Sequence, residues 1–90
     1  MKLITSIEKE NHVTINALQC RMARAALLLG VRELAALAKV SPSTIARFET
    51  GELLKERTVD AIRAALETAG VEFIPQNGGG PGVRLKNPLG

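Results

Sequence analysis

The amino-acid sequence predicts a mainly α-helical fold in which four short helices precede a C-terminal β-hairpin. Three observations support this fold class. Apolar side chains recur every three or four positions through residues 16–69, as they do along one side of an α-helix. Capping residues and single glycines or prolines divide that segment into short pieces. Residues 71–90 instead alternate apolar and polar side chains on both sides of a glycine-rich loop, which is typical of a hairpin.

The first helix is predicted to follow residues 1–14, whose weak periodicity and mixed charge indicate a loosely ordered tail. Asn16 and Gln19 have the spacing of a capping box, which marks a helix start. Two apolar stripes follow, one of Leu18, Met22, Ala25 and Leu29 and the other of Cys20, Ala23 and Leu27. Because a helix that is apolar on two sides needs neighbours on both, we expect this helix to be central.

The second and third helices are predicted to be joined by a tight connection. Helix 2 follows Gly30 and carries an inner stripe of Val31, Leu34, Ala35 and Ala38. Ser41 is the expected N-cap of helix 3, and Pro42 stands at its first position, where a missing amide costs nothing. Helix 3 should span residues 42–50, with Gly51 as a left-handed stop. Two short helices joined in this way fit the helix-turn-helix pattern.

A charged loop, residues 52–57, should separate helix 3 from helix 4, with Thr58 as the cap. The inner stripe of helix 4 is predicted to be Val59, Ile62, Leu66 and Ala69. Gly70 should end the helix. We therefore divide the chain into a tail (residues 1–14), a helical domain (residues 15–70) and a hairpin (residues 71–90).

The hairpin segment reads as two short strands around residues 76–82. Its GGGPG run lacks the Gly-Lys-Ser/Thr ending of a phosphate-binding loop, so we interpret it as a flexible turn. An isolated hairpin is marginal in water and must therefore lean on the helices or pair with another chain. Arg84 and Lys86 give the last strand two cations with no acid nearby. We favour protection of the sheet edge over contact with DNA as their role.

The outer face of helix 3 carries the main functional signal. At 100° per residue, Phe48 and Ser41 fall on the side of Ile45, facing the core. The opposite side carries short side chains and one long cation, contributed by Ser43, Ala46, Arg47 and Thr50. Such a face fits the major groove of DNA, in which an arginine can bind guanine O6 and N7 together. A solvated polar face is the alternative. The preceding helix, the tight turn and the net charge of +3 favour DNA.

Other groups near helix 3 suit further DNA contacts. Ser43 and Thr44 can reach bases or phosphates, and Ser41 at the helix N-terminus suits a phosphate. Lys55 and Arg57 are candidate phosphate clamps, although neighbouring glutamates dilute their charge.

Glu49 lies on the inner side of the predicted helix 3 and so needs a partner. An unpaired buried carboxylate is costly. We expect Arg24 of helix 1 to pair with it, with Arg21 as the second candidate. The alternative is that the helix frays after Phe48 and that Glu49 is solvated.

Composition argues against several other classes of protein. The single cysteine and single histidine can form neither an internal disulfide nor a Cys/His metal cluster, so we expect no cofactor and a reducing cytoplasm. Cys20 is interpreted as a core residue, and His12 has no catalytic framework around it, so we expect no enzyme. The longest apolar run is too short to cross a bilayer, and the charged residues 1–14 do not form a signal peptide.

Three segments of the chain together resemble a known family. They are INALQCRMARAALLLGVRELA, KVSPSTIARFETGE and TVDAIRAALETAGVEFI. They are similar to the XRE, or Cro/phage-repressor-like, helix-turn-helix transcriptional regulators. The tail NGGGPGVRLK resembles that of small bacterial members. The resemblance implies a lambda-repressor-like fold and a recognition helix over residues 42–50, with Ser43, Ala46 and Arg47 facing bases. It also implies a helix 1–helix 3 ion pair at Arg24 and Glu49.

The chain departs from the family pattern at two places. Gly30-Val31 stands where many members have Ser/Thr-Gln, whose glutamine binds a phosphate, so Arg32 or Lys39 would have to replace that contact. Lys39 also stands at the turn glycine and must adopt a strained conformation or a different turn. The predicted DNA-binding set is Arg32, Lys39, Ser41, Pro42, Ser43, Thr44, Ala46, Arg47, Thr50 and Lys55.

These observations predict a bacterial DNA-binding transcriptional regulator, by default a repressor, that acts as a homodimer on a pseudo-palindromic operator. Two copies are expected because one short helix discriminates little by itself. The dimer contact is hypothesised to involve helix 4 and the hairpin residues Val71, Phe73, Val83 and Leu85. No small-molecule effector is evident. The alternative is a protein-binding module of the same fold, such as an antitoxin or antiactivator.

Overall fold

The computed structural model describes residues 14–87, which contain four helices followed by one two-stranded antiparallel sheet. The elements are α1 (Ala17–Leu27), α2 (Val31–Ala38), α3 (Pro42–Glu49), α4 (Glu56–Ala69), β1 (Val71–Ile74) and β2 (Gly82–Leu85). The mainly helical fold with a C-terminal hairpin is therefore confirmed. Apart from Thr14, the residues interpreted as a tail lie outside the described part of the chain.

The start of α1 is the predicted capping box. The Asn16 side-chain oxygen accepts a hydrogen bond from the Gln19 amide at 2.8 Å, and Gln19 Oε1 accepts one from the Asn16 amide at 3.1 Å. The helix ends at Leu27, because Leu28 turns into the left-handed conformation with φ 57°. The last residue of the predicted outer stripe, Leu29, thus lies beyond the helix.

The prediction that α1 has neighbours on two sides is wrong. Cys20 and Ala23 are fully buried, but Leu18 on the other stripe is 66% exposed and Met22 is 38% exposed. α1 packs one face against α3, α4 and the hairpin.

α2 and α3 have the predicted order and nearly the predicted ends. Lys39 links them in the left-handed conformation with φ 61°, so the strained alternative foreseen for this turn is the observed one. Ser41 caps α3 by accepting a hydrogen bond from the Thr44 amide at 3.1 Å. Ser41 is exposed rather than turned to the core, because an N-cap lies outside the regular helix to which the 100° step applies. The helix ends at Glu49, one residue early, and Gly51 has φ 99°.

α4 begins earlier than the sequence predicted. Its first residue is Glu56 and its N-cap is Lys55, so Thr58 lies in the first turn and does not precede it. An acidic residue in the first turn is stabilised by the helix dipole, which favours this earlier start. Val59, Ile62 and Leu66 are buried as predicted. Ala69, at the end of the helix, is exposed, which corrects the last position of the inner stripe.

The hairpin packs on the helices of the same chain. β1 and β2 pair with Val71 opposite Leu85 and Phe73 opposite Val83. Val71 is fully buried and Phe73 is 7% exposed, because this face of the sheet lies against α1 and α4. The hairpin therefore gains from the helical core the stability that two strands lack by themselves.

Of the two cations assigned to the last strand, Arg84 has an acid nearby, contrary to the sequence-based expectation, and Lys86, which follows β2, binds a backbone carbonyl oxygen. Arg84 donates a hydrogen bond to Glu72 Oε2 at 2.9 Å across the sheet. Lys86 Nζ donates one to the carbonyl oxygen of Glu67 at 2.8 Å, an oxygen near the end of α4 that also accepts from the Gly70 amide at 3.1 Å. The alternating pattern of the sequence could not predict either contact. Each depends on the strand register or on the position of α4 relative to the hairpin, and only the folded chain determines these.

Candidate functional site

The outer face of α3 is open to solvent and carries mostly short side chains. Ser43, Ala46, Arg47 and Thr50 are exposed, while Ile45 and Phe48 are buried on the other side. The Thr50 hydroxyl donates a hydrogen bond to the Arg47 carbonyl oxygen at 2.9 Å, so it helps to end the helix. Arg47 is therefore the one long cation on a face that is otherwise nearly flat.

A groove beside this face brings together four residues of the predicted set. We call it the α3–α4 groove. It is lined by Val40, Ser41, Thr44, Arg47, Leu54, Lys55 and Thr58. The Ser41 and Thr44 hydroxyls lie 2.9 Å apart and hydrogen bond to each other. Hydroxyl groups and cations at one edge of a helix form a surface that suits an anion.

The remaining predicted residues are exposed but do not line this groove. Arg32 lies in the first turn of α2, and Pro42 at the first position of α3. Lys39 instead lines a separate groove between α2 and α4, together with Leu37, Ala38, Ala61, Ala64, Ala65 and Thr68. Arg57 is exposed in the first turn of α4.

Arg47 has an acidic neighbour that the sequence analysis did not foresee. Its Nε lies 3.6 Å from Glu52 Oε2, and both side chains are 51% exposed. The turn that ends α3 produces this proximity, because the Glu52 amide donates to the Arg47 carbonyl oxygen at 3.1 Å. The glycine stop Gly51 was the available signal, since such a cap places the residue after the glycine over the last turn of the helix.

On its inner side, α3 is tied to α1 by the predicted ion pair. Arg24 Nε donates to Glu49 Oε2 at 2.8 Å, and Arg24 Nη2 donates to Glu49 Oε1 at 2.7 Å. The Cys20 thiol donates to Glu49 Oε2 at 3.1 Å, and Arg21 Nε donates to the Glu49 backbone oxygen at 3.2 Å. The second candidate, Arg21, therefore binds the backbone and not the carboxylate. The fraying alternative is excluded, because the Glu49 residue is 7% exposed.

The groups around Glu49, which are Arg24, Arg21 and Cys20, stabilise its negative charge. Burial by itself raises the pKa of Glu49, but hydrogen bonds from Arg24 and Cys20, together with the charges of Arg24 and Arg21, outweigh burial and lower the pKa. Burial and the hydrogen bond to Glu49 raise the pKa of the Cys20 thiol. Cys20 is thus a core residue, as predicted. Its thiol is protonated and donates to Glu49. The cluster fixes the orientation of α3 relative to α1.

Gln19 is a structural residue whose larger role the sequence analysis missed. Besides its part in the capping box, its side-chain amide donates to the carbonyl oxygens of Gly82 at 3.0 Å and Ile74 at 3.3 Å. One buried side chain thus joins the start of α1 to the end of the hairpin near the turn. The Asn16–Gln19 spacing predicted only the capping box. The bonds to the hairpin could not be predicted, because their acceptors are more than fifty positions away in the sequence.

The hypothesised dimer residues are divided by the fold. Val71 and Phe73 are buried within the protomer and are not part of its surface. Val83 is half-buried and Leu85 is 36% exposed. A dimer contact at the hairpin can therefore rest only on Val83, Leu85 and their surroundings, and it stays a prediction.

Among residues 14–87, no helix is long and apolar enough to cross a membrane, and no three His, Cys, Asp or Glu side chains meet in a group that could hold a metal ion. His12 lies outside these residues. Comparison with protein-family models and with curated proteins found no match to the chain.

Proposed function

We propose that this protein is a sequence-specific DNA-binding transcriptional regulator of the helix-turn-helix type, with α3 as its recognition helix. One observation carries the proposal: α3 is anchored on its inner side by the Arg24–Glu49 pair and is bare on its outer side except for Arg47. A rigid helix with one long cation among short side chains can enter the major groove without steric conflict. The resemblance to the XRE family supports the same function.

The contacts divide into base reading and phosphate binding. Arg47 binds a guanine through O6 and N7, and the methyl group of Ala46 suits a thymine methyl. Ser41, Thr44 and Lys55, which line the α3–α4 groove, bind a backbone phosphate and thereby set the register of α3 on the duplex. The net charge of +3 adds attraction for DNA that does not depend on sequence.

A homodimer on a pseudo-palindromic site follows from the weakness of a single reader. One bidentate arginine–guanine pair discriminates by about 1–3 kcal/mol, which two symmetric copies double. The half-sites then lie about one helical turn apart. Repression by occupying a promoter is the simplest action of such a protein, which in this proposal acts by binding and not by catalysis.

The test is a binding series with duplexes selected by the wild-type protein from a randomised pool. Wild type should enrich a two-fold symmetric sequence, and its affinity should fall steeply with salt. Arg47→Ala should lose preference at one base position in each half-site. Arg84→Ala, which removes the same charge from the hairpin, should keep that preference. If wild type enriches nothing over random DNA, the proposal fails.

The alternative, a protein-binding module such as an antitoxin or antiactivator, is favoured by exposed leucines outside α3. Leu18 is 66% exposed, Leu28 is 89% exposed and Leu53 is 95% exposed. In that case Arg47→Ala should leave function intact, while a charge placed on the leucine that the partner covers should abolish it. Arg47→Ala and the charged leucine variant, measured together, therefore separate the two functions.

A further inference from the structure

Glu52 is held beside Arg47 by the backbone of the turn that ends α3. Gly51, with φ 99°, allows the Gly51 amide to bond the Phe48 carbonyl oxygen at 3.0 Å and the Glu52 amide to bond the Arg47 carbonyl oxygen at 3.1 Å. This pair of bonds is the Schellman motif, in which the residue after the glycine folds back over the last helical turn. Apolar side chains usually meet at this point of the motif. Here an acid and the candidate base reader meet instead.

The position of the carboxylate selects one edge of the guanidinium. Glu52 Oε2 lies nearest to Arg47 Nε, at 3.6 Å. A guanidinium carries five N–H donors in a rigid plane, of which one is on Nε and four are on the two terminal nitrogens. A carboxylate on the Nε side leaves the terminal nitrogens free to donate together. That end-on pair of donors matches the spacing of guanine O6 and N7.

We infer that Glu52 is a specificity-determining residue, which positions the Arg47 guanidinium so that its two terminal nitrogens read a guanine. This inference rests on the proposed function, since it assigns a partner to the reader on α3. The Glu52 carboxylate also increases discrimination between selected and random DNA in a second way. Because it lies beside Arg47 on the face that the proposed function assigns to DNA, it repels phosphates. It therefore weakens binding to random sequence, while its pairing with Arg47 sharpens binding to guanine.

The experiment uses duplexes that the wild-type protein selects from a randomised pool. The base position at which Arg47→Ala loses preference identifies the guanine that Arg47 reads. Affinities of wild type, Glu52→Gln and Glu52→Ala are then measured for this duplex, for the three duplexes with another base there, and for random duplex. A 7-deazaguanine at that position removes N7 and checks that both acceptors are used.

The expected result for both Glu52 variants is loss of guanine preference by a factor of about two to five, the range that one exposed ion pair supports. Preference at other positions should persist, and affinity for random duplex should rise. Glu72→Gln, which makes the same charge change on β1, should leave the guanine preference as in wild type. In the Arg47→Ala background, Glu52→Gln should no longer affect preference, because the reader it positions is absent.

The outcomes distinguish a failure of the inference about Glu52 from a failure of the proposed function. If Glu52→Gln and Glu52→Ala remain folded by thermal denaturation and keep the wild-type guanine preference, the inference about Glu52 is overturned and the proposed function stands. An effect of Glu52→Gln on base preference that persists without Arg47 also overturns it, since the carboxylate would then not act by positioning that residue. If wild type selects no sequence, the proposed function fails, and the inference about Glu52 fails because it rests on that function.

Discussion

At the scale of single residues, Glu49 shows how an acid is accommodated on the inner side of a helix. Its carboxylate accepts three hydrogen bonds, two from Arg24 and one from the Cys20 thiol. Charge-assisted bonds of this kind are strong, and the bidentate arginine also fixes orientation. The same residue that departs from the apolar pattern of α3 therefore determines how α3 is mounted on α1.

Glu49→Gln should lower the free energy of unfolding by about 2–4 kcal/mol, because it leaves the Arg24 guanidinium without its charged partner in a mostly buried site. Urea denaturation measures the change. Glu52→Gln is the matched control, since it makes the same substitution in an exposed arginine pair, and it should cost less than about 1 kcal/mol. Equal effects of the two substitutions would contradict the role assigned to Glu49.

The stability that Glu49 contributes should depend on pH. Burial raises its pKa, but the hydrogen bonds and charges of its partners lower it more, so the folded-state pKa lies below the ordinary value of 4.5. The contribution is therefore complete above about pH 4.5 and is lost as the pH falls through the lowered folded-state pKa. The difference in unfolding free energy between wild type and Glu49→Gln should shrink on acidification over that range. A difference that stays constant down to pH 2 would exclude this linkage.

At the scale of elements, the hairpin is a dependent part of the helical domain. Val71 and Phe73 bury its inner face, and Gln19 binds the carbonyl oxygens of Ile74 and Gly82, which are paired with each other at the end of the sheet next to the turn. Each helix–helix and helix–strand contact uses one face of a short element. The order of the elements along the chain therefore says little about which faces meet.

Gln19→Glu should loosen the hairpin while keeping the start of α1. A glutamate retains the oxygen that accepts from the Asn16 amide, but it replaces the donor group facing two carbonyl oxygens with an acceptor. Hydrogen exchange should then show lower protection of the hairpin amides. Asn16→Ala is the control: it should lower overall stability by about 1 kcal/mol through the lost cap and leave the hairpin protected relative to the helices. Unchanged hairpin protection in Gln19→Glu would show that apolar packing alone holds the strands.

At the scale of the whole molecule, the domain presents two surfaces with different chemistry. One is the polar outer face of α3 with the adjoining α3–α4 groove, which the proposed function assigns to DNA. The other is the exposed part of the apolar residues of β2, where Val83 packs partly against the core and Leu85 is 36% exposed. A regulator that reads a two-fold symmetric site needs a contact between copies as well as a contact with DNA.

If β2 supplies that contact, Leu85→Asp should raise the dimer dissociation constant at least about tenfold, because a charge would be buried in an apolar interface. Sedimentation at increasing concentration measures it, and thermal denaturation checks that the variant is folded. Leu53→Asp, a change at a leucine that is 95% exposed outside the hairpin, should leave the constant unchanged. A wild-type protein that is monomeric both free and on its selected duplex would rule out the dimer.

Much of the fold follows from local features of the sequence. The capping box at Asn16, the cap and proline at the start of α3, and the glycine stops at Gly51 and Gly70 mark element ends, because each acts through hydrogen bonds or backbone angles within a few residues. The position of Glu49 also predicted a charged partner, because a carboxylate on the inner face of a helix requires one. Helical periodicity alone predicted which residues of α3 face outward.

Tertiary packing decided the rest. It buried only one of the two apolar stripes of α1, placed Gln19 against the hairpin, enclosed Val71 and Phe73, and gave Arg84 and Lys86 acidic or carbonyl partners. These outcomes depend on which faces meet among elements far apart in the chain. Periodicity shows that a face is apolar, but whether a neighbour covers it depends on how the elements pack against one another.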